Sequence, residues 1–297
     1  MIGRITNQQQ LVSAQRNVQT SRALLSQLQE QAATGRAVTK PSDDPSATAS
    51  IMRVHAQQRA TEQYGTNISD GTAWLATVDD ALSSSEDILR KVRDLTLRGA
   101  NEGTMTPATR SAIAGELEGL KSDLLEKANT TYLGRTVFAG SSSAGTAFAA
   151  TPAPYTFTGA AGATVQRRIN DSETVRVDVD GAAAFGTGTG SVFALIDNIV
   201  TDLTAGTDLS ARIGQLDTHV SALTTQHGVV GTRYSRLQQA AQSNLTQSTA
   251  LEAQRAGLED VDPAKAIIDL KSQEVTYQTA LGVTARALQP TLLSYLQ

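Results

Sequence analysis

LSARIGQLDTHVSALTTQHGVVGTRYSRLQQAAQSNLTQSTALEAQRAGLE, residues 209–259, holds one position in seven apolar almost to its end. Leu209, Leu216, Leu223, Val230, Leu237, Leu251 and Leu258 carry the repeat, and Asn244 is its polar member. Ile213, Val220, His227, Tyr234 and Ala241 fill a companion position four residues on. Such an a/d stripe belongs to a helix that buries one narrow face against other helices. A polar Asn244 within it fixes register at some cost in stability. The spacing predicts one helix of about 50 residues, roughly 80 Å long at 1.5 Å per residue.

Four more helical stretches surround this one. Leu11, Val18, Leu25 and Ala32, with Ala14, Ser21 and Leu28 three residues later, predict a first helix closed by Gly35. Asp43-Asp44-Pro45 then restarts the chain, Asp44 as N-cap and Pro45 in the first turn, where its missing N–H does no harm. The stripe that follows runs Ala47, Val54, Thr61, Ile68, Leu75, Leu82 and Leu89, with a break allowed at Gly65 or Gly71. A shorter helix starts at Thr106-Pro107 with Ile113, Leu117, Leu120 and Leu124 on one face. Asp262-Pro263 repeats the restart, and Ile267, Leu270, Tyr277, Leu281 and Leu288 line the last helix before Pro290.

The lengths run short, long, long, short, so the first helix can pair with the last and the second with the penultimate. The two proline restarts would then lie side by side. Residues 140–190 differ, being rich in Gly, Ala, Ser and Thr. Tyr155–Phe157, Val165–Ile169 and Thr174–Val179 read as strands, Asp180-Gly181 as a turn and Gly186–Gly190 as a flexible linker. Val192–Leu203 reads as a connecting helix. The expected fold is mainly α: an elongated antiparallel helical bundle or coiled-coil rod formed by the two terminal arms, with a small β-rich inserted domain at its distal end. Its expected parts are the terminal helices 1–40 with 263–297, a stem of 41–140 with 191–262, and the insert 141–190. Aromatic residues are 4% of the chain, which favours a thin core lined by Ala and Leu.

The chemistry of enzymes is not visible. With 25 basic and 29 acidic residues the chain has no single-sign field to gather nucleic acid or an anionic membrane. No run approaches the ~20 apolar residues of a membrane span, and residues 1–10 lack the apolar core of a cleavable secretion signal. There is no cysteine for a disulfide or thiolate metal site. His55, His219 and His227 have no second ligand one helical turn away. Asp43-Asp44 is a helix start and Asp79-Asp80 a solvated face. Trp74 is expected as a buried anchor. No catalytic residue, cofactor or metal site is expected.

Thr34-Gly35-Arg36-Ala37-Val38-Thr39-Lys40-Pro41-Ser42-Asp43-Asp44-Pro45 resembles the loop joining the first two helices in the flagellin superfamily. Its Pro-Ser-Asp-Asp-Pro form is most similar to the hook-associated protein 3 family. Trp74-Leu75, Ala100-Asn101, Tyr132-Leu133-Gly134 and Val137-Phe138-Ala139-Gly140 continue the likeness, as do Leu258–Asp262 and Ala285–Leu293. It covers about residues 1–140 and 205–297. Leu89–Asn101 is also similar to the flagellin stretch sensed by an animal innate receptor, with Lys91 and Gly99 departing from the usual pattern.

The resemblance implies a secreted, extracellular structural subunit, exported unfolded through the flagellar channel. Copies of it would form a ring-like layer at the hook–filament junction, on which flagellin assembles. A neighbouring hook-associated protein and flagellin would be its partners, and an export chaperone would hold its C-terminal helix. Helices with narrow stripes bury little surface alone and should order when neighbours cover them. The candidate assembly residues are therefore Leu11, Val18, Leu25, Leu28, Ile267, Leu270, Tyr277, Leu281 and Leu288. The candidate stem core is Leu75, Leu82, Leu89, Val230, Leu237 and Leu251, and the inter-helix loop is Pro41, Asp43, Asp44 and Pro45. Two other readings compete. Filament flagellin would usually carry a longer insert and a loop without flanking prolines. A cytoplasmic coiled-coil signalling or scaffold rod would need a symmetric hairpin tip instead of a β-rich insert.

Overall fold

A computed structural model describes residues 2–101, 105–150, 155–160 and 162–287. Among these residues the helices and short strands follow in the order α1 (Ile2–Thr34), α2 (Pro45–Gly99), α3 (Pro107–Ala128), β1 (Thr131–Tyr132), β2 (Arg135–Thr136), β3 (Phe148–Ala149), β4 (Thr156–Phe157), β5 (Gln166–Arg168), β6 (Thr174–Arg176), α4 (Gly181–Phe185), α5 (Val192–Ala205), α6 (Ser210–Glu259) and α7 (Pro263–Ala287). The fold is mainly α, and its strands form three separate antiparallel hairpins, β1–β2, β3–β4 and β5–β6. The chain divides into two compact units, residues 1–60 with 248–297 and residues 61–247.

In the larger unit α2 and α6 run antiparallel. Arg93 Nε lies 2.6 Å from Asp217 Oδ1, His227 meets Asp79 and Glu86, and Asn244 Nδ2 donates to the Thr61 carbonyl at 2.8 Å. Leu75, Leu82, Leu89, Leu216, Leu223, Val230 and Leu237 are buried along the seam. α2 is continuous through Gly65 and Gly71, where a break was allowed. Both glycines sit at close approaches: a Cβ on Gly71 would lie 3.2 Å from Leu237 Cδ1 and from Val177 Cγ1, and one on Gly65 3.2 Å from Asn244 Oδ1. Contacts across the seam hold the helix where its propensity is weakest.

The insert shares this unit's core. All five phenylalanines gather there: Phe138 meets Phe185 edge-on with centroids 5.3 Å apart, and Phe148 contacts Phe157, Phe185 and Phe193. The thin core of Ala and Leu therefore describes the α2–α6 seam and not the insert, where the few aromatics are concentrated. Buried Asp178 accepts from Arg176 and from Val165 N–H, pinning the β5–β6 hairpin from inside. Asp180 N-caps the short helix α4 in place of the expected turn, accepting from Ala182 N–H. Gly186–Gly190 is ordered, with a 3₁₀ turn at Gly188–Gly190 and Ser191 capping α5. The insert's apolar side chains belong to one buried cluster with those of α2, α3, α5 and α6.

In the β1–β2 hairpin a two-residue turn places Leu133 at φ 49° and Gly134 at φ 76°. Both central residues at positive φ define a type I′ turn, which favours Asn-Gly. Leucine in the left-handed region is disfavoured by about 1–2 kcal/mol.

Candidate assembly surface

The smaller unit is built around two proline restarts. Asp44 Oδ1 accepts from Ser46 and Ala47 N–H at 2.9 and 2.8 Å, and Asp262 Oδ1 from Ala264 N–H at 2.9 Å. Each aspartate satisfies amides that the first helical turn leaves unpaired. Asp43 Oδ2 accepts from the Thr39 hydroxyl and Lys40 N–H, which together hold its carboxyl below the usual range. The two restarts lie against each other: Ala37 N–H donates to the Glu259 carbonyl at 2.7 Å and Val261 N–H to the Gly35 carbonyl at 2.9 Å. Pro41 is exposed in this loop.

Charge reinforces the crossing. Glu259 is buried and takes His55 Nε2 at 2.7 Å and Arg255 Nη1 at 2.9 Å. Arg255 also reaches Glu252 and Asp260, and these carboxylates raise its pKa further. Leu251 is buried beside this network, in the same unit as the terminal helices.

α1 and α7 pair, with Gln273 Nε2 donating to Ser21 Oγ at 2.8 Å and to its carbonyl at 3.1 Å. On α1 the half-buried face is Ala14, Val18, Ser21, Leu25 and Leu28. On α7 it is Ala266, Leu270, Gln273, Tyr277, Ala280 and Thr284, which alternates steps of four and three. Ile267 and Leu281, expected in this seam, stand outside it at 56% and 43% exposure. One residue off the register turns a side chain ~100° around a helix, and the small residues are the ones that fit α1. The side chain of Leu11 and the whole of Leu288 lie outside the described residues.

The outward faces are apolar. Ile268, Val275 and Val283 on α7 are at least 60% exposed, and Val12 and Leu24 on α1 about 43–44%. Ala14, Asn17, Val275, Ala280 and Val283 border an open groove of about 440 Å³. None of Ile268, Val275, Val283, Val12 or Leu24 was among the expected assembly residues. The spacing of seven between Ile268 and Val275 was the available signal, hidden beneath the stronger stripe beside it.

Among the described residues no three His, Asp or Glu side chains converge as a metal cage, and no helix is long and apolar enough to cross a membrane. His219 is half-buried, and the partial loss of water lowers its pKa. On α2, Leu89, Val92, Leu95 and Thr96 face the core, while Arg90, Lys91, Asp94 and Arg98 are exposed.

The N-terminal helical region of bacterial flagellin matches residues 5–143, and its C-terminal helical region residues 213–296. The chain belongs to the flagellin family. The matched parts contain almost all of α1 and α6 and the whole of α2, α3, the β1–β2 hairpin and α7, leaving β3–β6, α4 and α5 between them. Bacillus subtilis flagellin is 25% identical over 88% of each chain. Flagellar hook-associated protein 3 of Escherichia coli is 26% identical over 75% of this chain and 67% of its own length. The crystal structure of hook-associated protein 3 from Legionella pneumophila superposes with a TM-score of 0.64 at 13% identity, covering 70% of this chain and 98% of that one, and shows the same fold. As a flagellin-family chain it is a structural component of the bacterial flagellum, exported to it and assembled with other flagellar proteins. Membership removes the cytoplasmic signalling rod from consideration.

Proposed function

We propose that this chain forms the junction layer between hook and filament. The observation that carries the reading is the Pro41–Pro45 loop, whose two aspartates each close a separate set of amides beside the α6–α7 restart. The Pro-Ser-Asp-Asp-Pro form resembles hook-associated protein 3, and the fold shared with the Legionella protein of that name supports it. Copies would form a ring-like layer, held by the exposed faces of α1 and α7, between a preceding hook-associated protein and the first flagellin subunits. An export chaperone would shield the aliphatic face of α7 before assembly, since Ile268, Val275 and Val283 would otherwise stand in water.

Filament flagellin is the second reading, favoured by the match to Bacillus subtilis flagellin over 88% of both chains. Antibody labelling of purified flagella separates the two. A single band at the hook–filament boundary is expected. Labelling along the filament would replace the junction with the filament.

A further inference from the structure

The β1–β2 turn is at odds with its own chemistry. A type I′ turn favours asparagine at its first central position, yet Leu133 stands there at φ 49° with 80% of its surface in water. With most of its surface in water the leucine gains little packing against the described residues, so neither the turn nor the core explains it. An exposed, conformationally disfavoured apolar residue points to a contact made outside the subunit.

The same unit carries a matching hollow. Between α2, the end of α3 and α6 lies a groove of about 640 Å³ lined by Ala76, Thr77, Asp80, Ala81, Gly231 and Tyr234. Ala76, Ala81 and Gly231 keep it shallow and Tyr234 gives it an apolar wall, while Asp79, Asp80 and Lys127 are the charged members of its lining. At the hairpin, exposed Arg135 follows Leu133 by two residues, its guanidinium 5.8 Å from the Trp74 centroid. Every copy therefore presents an apolar knob beside a cation, and a hollow of small side chains whose lining carries two carboxylates and one lysine.

We propose that Leu133 of one subunit docks into the Ala76–Tyr234 groove of a second copy of this chain, with Arg135 facing Asp80. The complementary patches are different surfaces of one chain, which suits a head-to-tail contact between neighbours, and the opposite charges favour that register over others. The contact rests on family membership alone, and it holds whether copies gather at the junction or along a filament.

Two variants test it in the full-length chain. Leu133→Asn should leave the thermal midpoint of the purified chain unchanged or raise it, while at least tenfold fewer subunits are retained in sheared flagella. A lowered midpoint would mean that Leu133 serves the hairpin, and undiminished retention would mean that it contacts nothing; either overturns the proposal. Because the chain has no cysteine, Leu133→Cys combined with Ala76→Cys should give, on mild oxidation of assembled flagella, covalent multiples of 31.2 kDa. No cross-link, or a cross-link to a protein of different mass, would overturn the second copy as occupant.

Discussion

His227 sits on α6 with Nδ1 3.0 Å from Glu86 Oε1 and Nε2 2.9 Å from Asp79 Oδ1. The two carboxylates are seven residues apart on α2, so they straddle one imidazole from the facing helix. Burial works to lower the His227 pKa, but hydrogen bonds and charge from Glu86 and Asp79 outweigh it and hold the value above the ordinary one. Glu86 is shared with Arg90, whose Nη2 lies 3.3 Å away. A pKa raised by folding contributes stability that is complete below the unfolded value of about 6.5 and is lost as pH rises through the folded value. Asp79 is half exposed, so the contribution is at most about 1 kcal/mol. His227→Gln should therefore lower the urea midpoint most near pH 5–6 and hardly at all near pH 9. A difference that grows with pH would contradict the pairing. None of this was legible in the sequence. Ligand spacing is searched along one helix, and these partners lie 141 and 148 residues away.

At the scale of elements the sequence was most informative where one periodicity persisted. The 50 residues of α6 and 55 of α2 follow their stripes, and the caps at Asp44 and Asp262 fix where α2 and α7 begin. Strands of two or three residues are too short to show alternation, so β1, β2 and β3 went unseen. On α7 the larger residues drew the reading to Ile267 and Leu281, whereas close pairing with α1 selects Ala266, Gln273 and Ala280. Glycines make the difference between propensity and packing measurable. Gly119 lies on the exposed side of α3, and a methyl added there would meet nothing within 4 Å. Gly119→Ala should stabilise the chain by up to ~1 kcal/mol through helix propensity. Gly71→Ala should gain clearly less, since its methyl would press Leu237 and Val177 at 3.2 Å. Thermal unfolding of the two variants decides it; equal gains would mean the α2–α6 seam is looser than described.

At the scale of the whole molecule, the fold and the proposed assembly surface would draw on different faces of the same terminal helices. The α1–α7 seam uses small and polar side chains, Ser21, Gln273 and Ala280 among them, while Val275, Ile268 and Val283 point away from it. A helix whose largest aliphatic side chains are in water is suited to burial by another surface, which in the proposed function is a neighbouring subunit. Val275 is 63% exposed, so Val275→Lys should change the stability of the purified chain by less than ~0.5 kcal/mol. In the proposed junction layer the same ammonium would be desolvated with no carboxylate built to receive it, a loss of several kcal/mol per contact. Leu281→Lys, 43% exposed on the same helix, should act in the same direction. Cells making only either variant should build hooks, shed flagellin into the medium and carry no attached filaments. The amount of variant in the medium shows whether export itself has failed. Normal filaments on those cells would refute the outward face of α7 as the assembly surface, and an unfolded purified variant would refute the separation of that face from the fold.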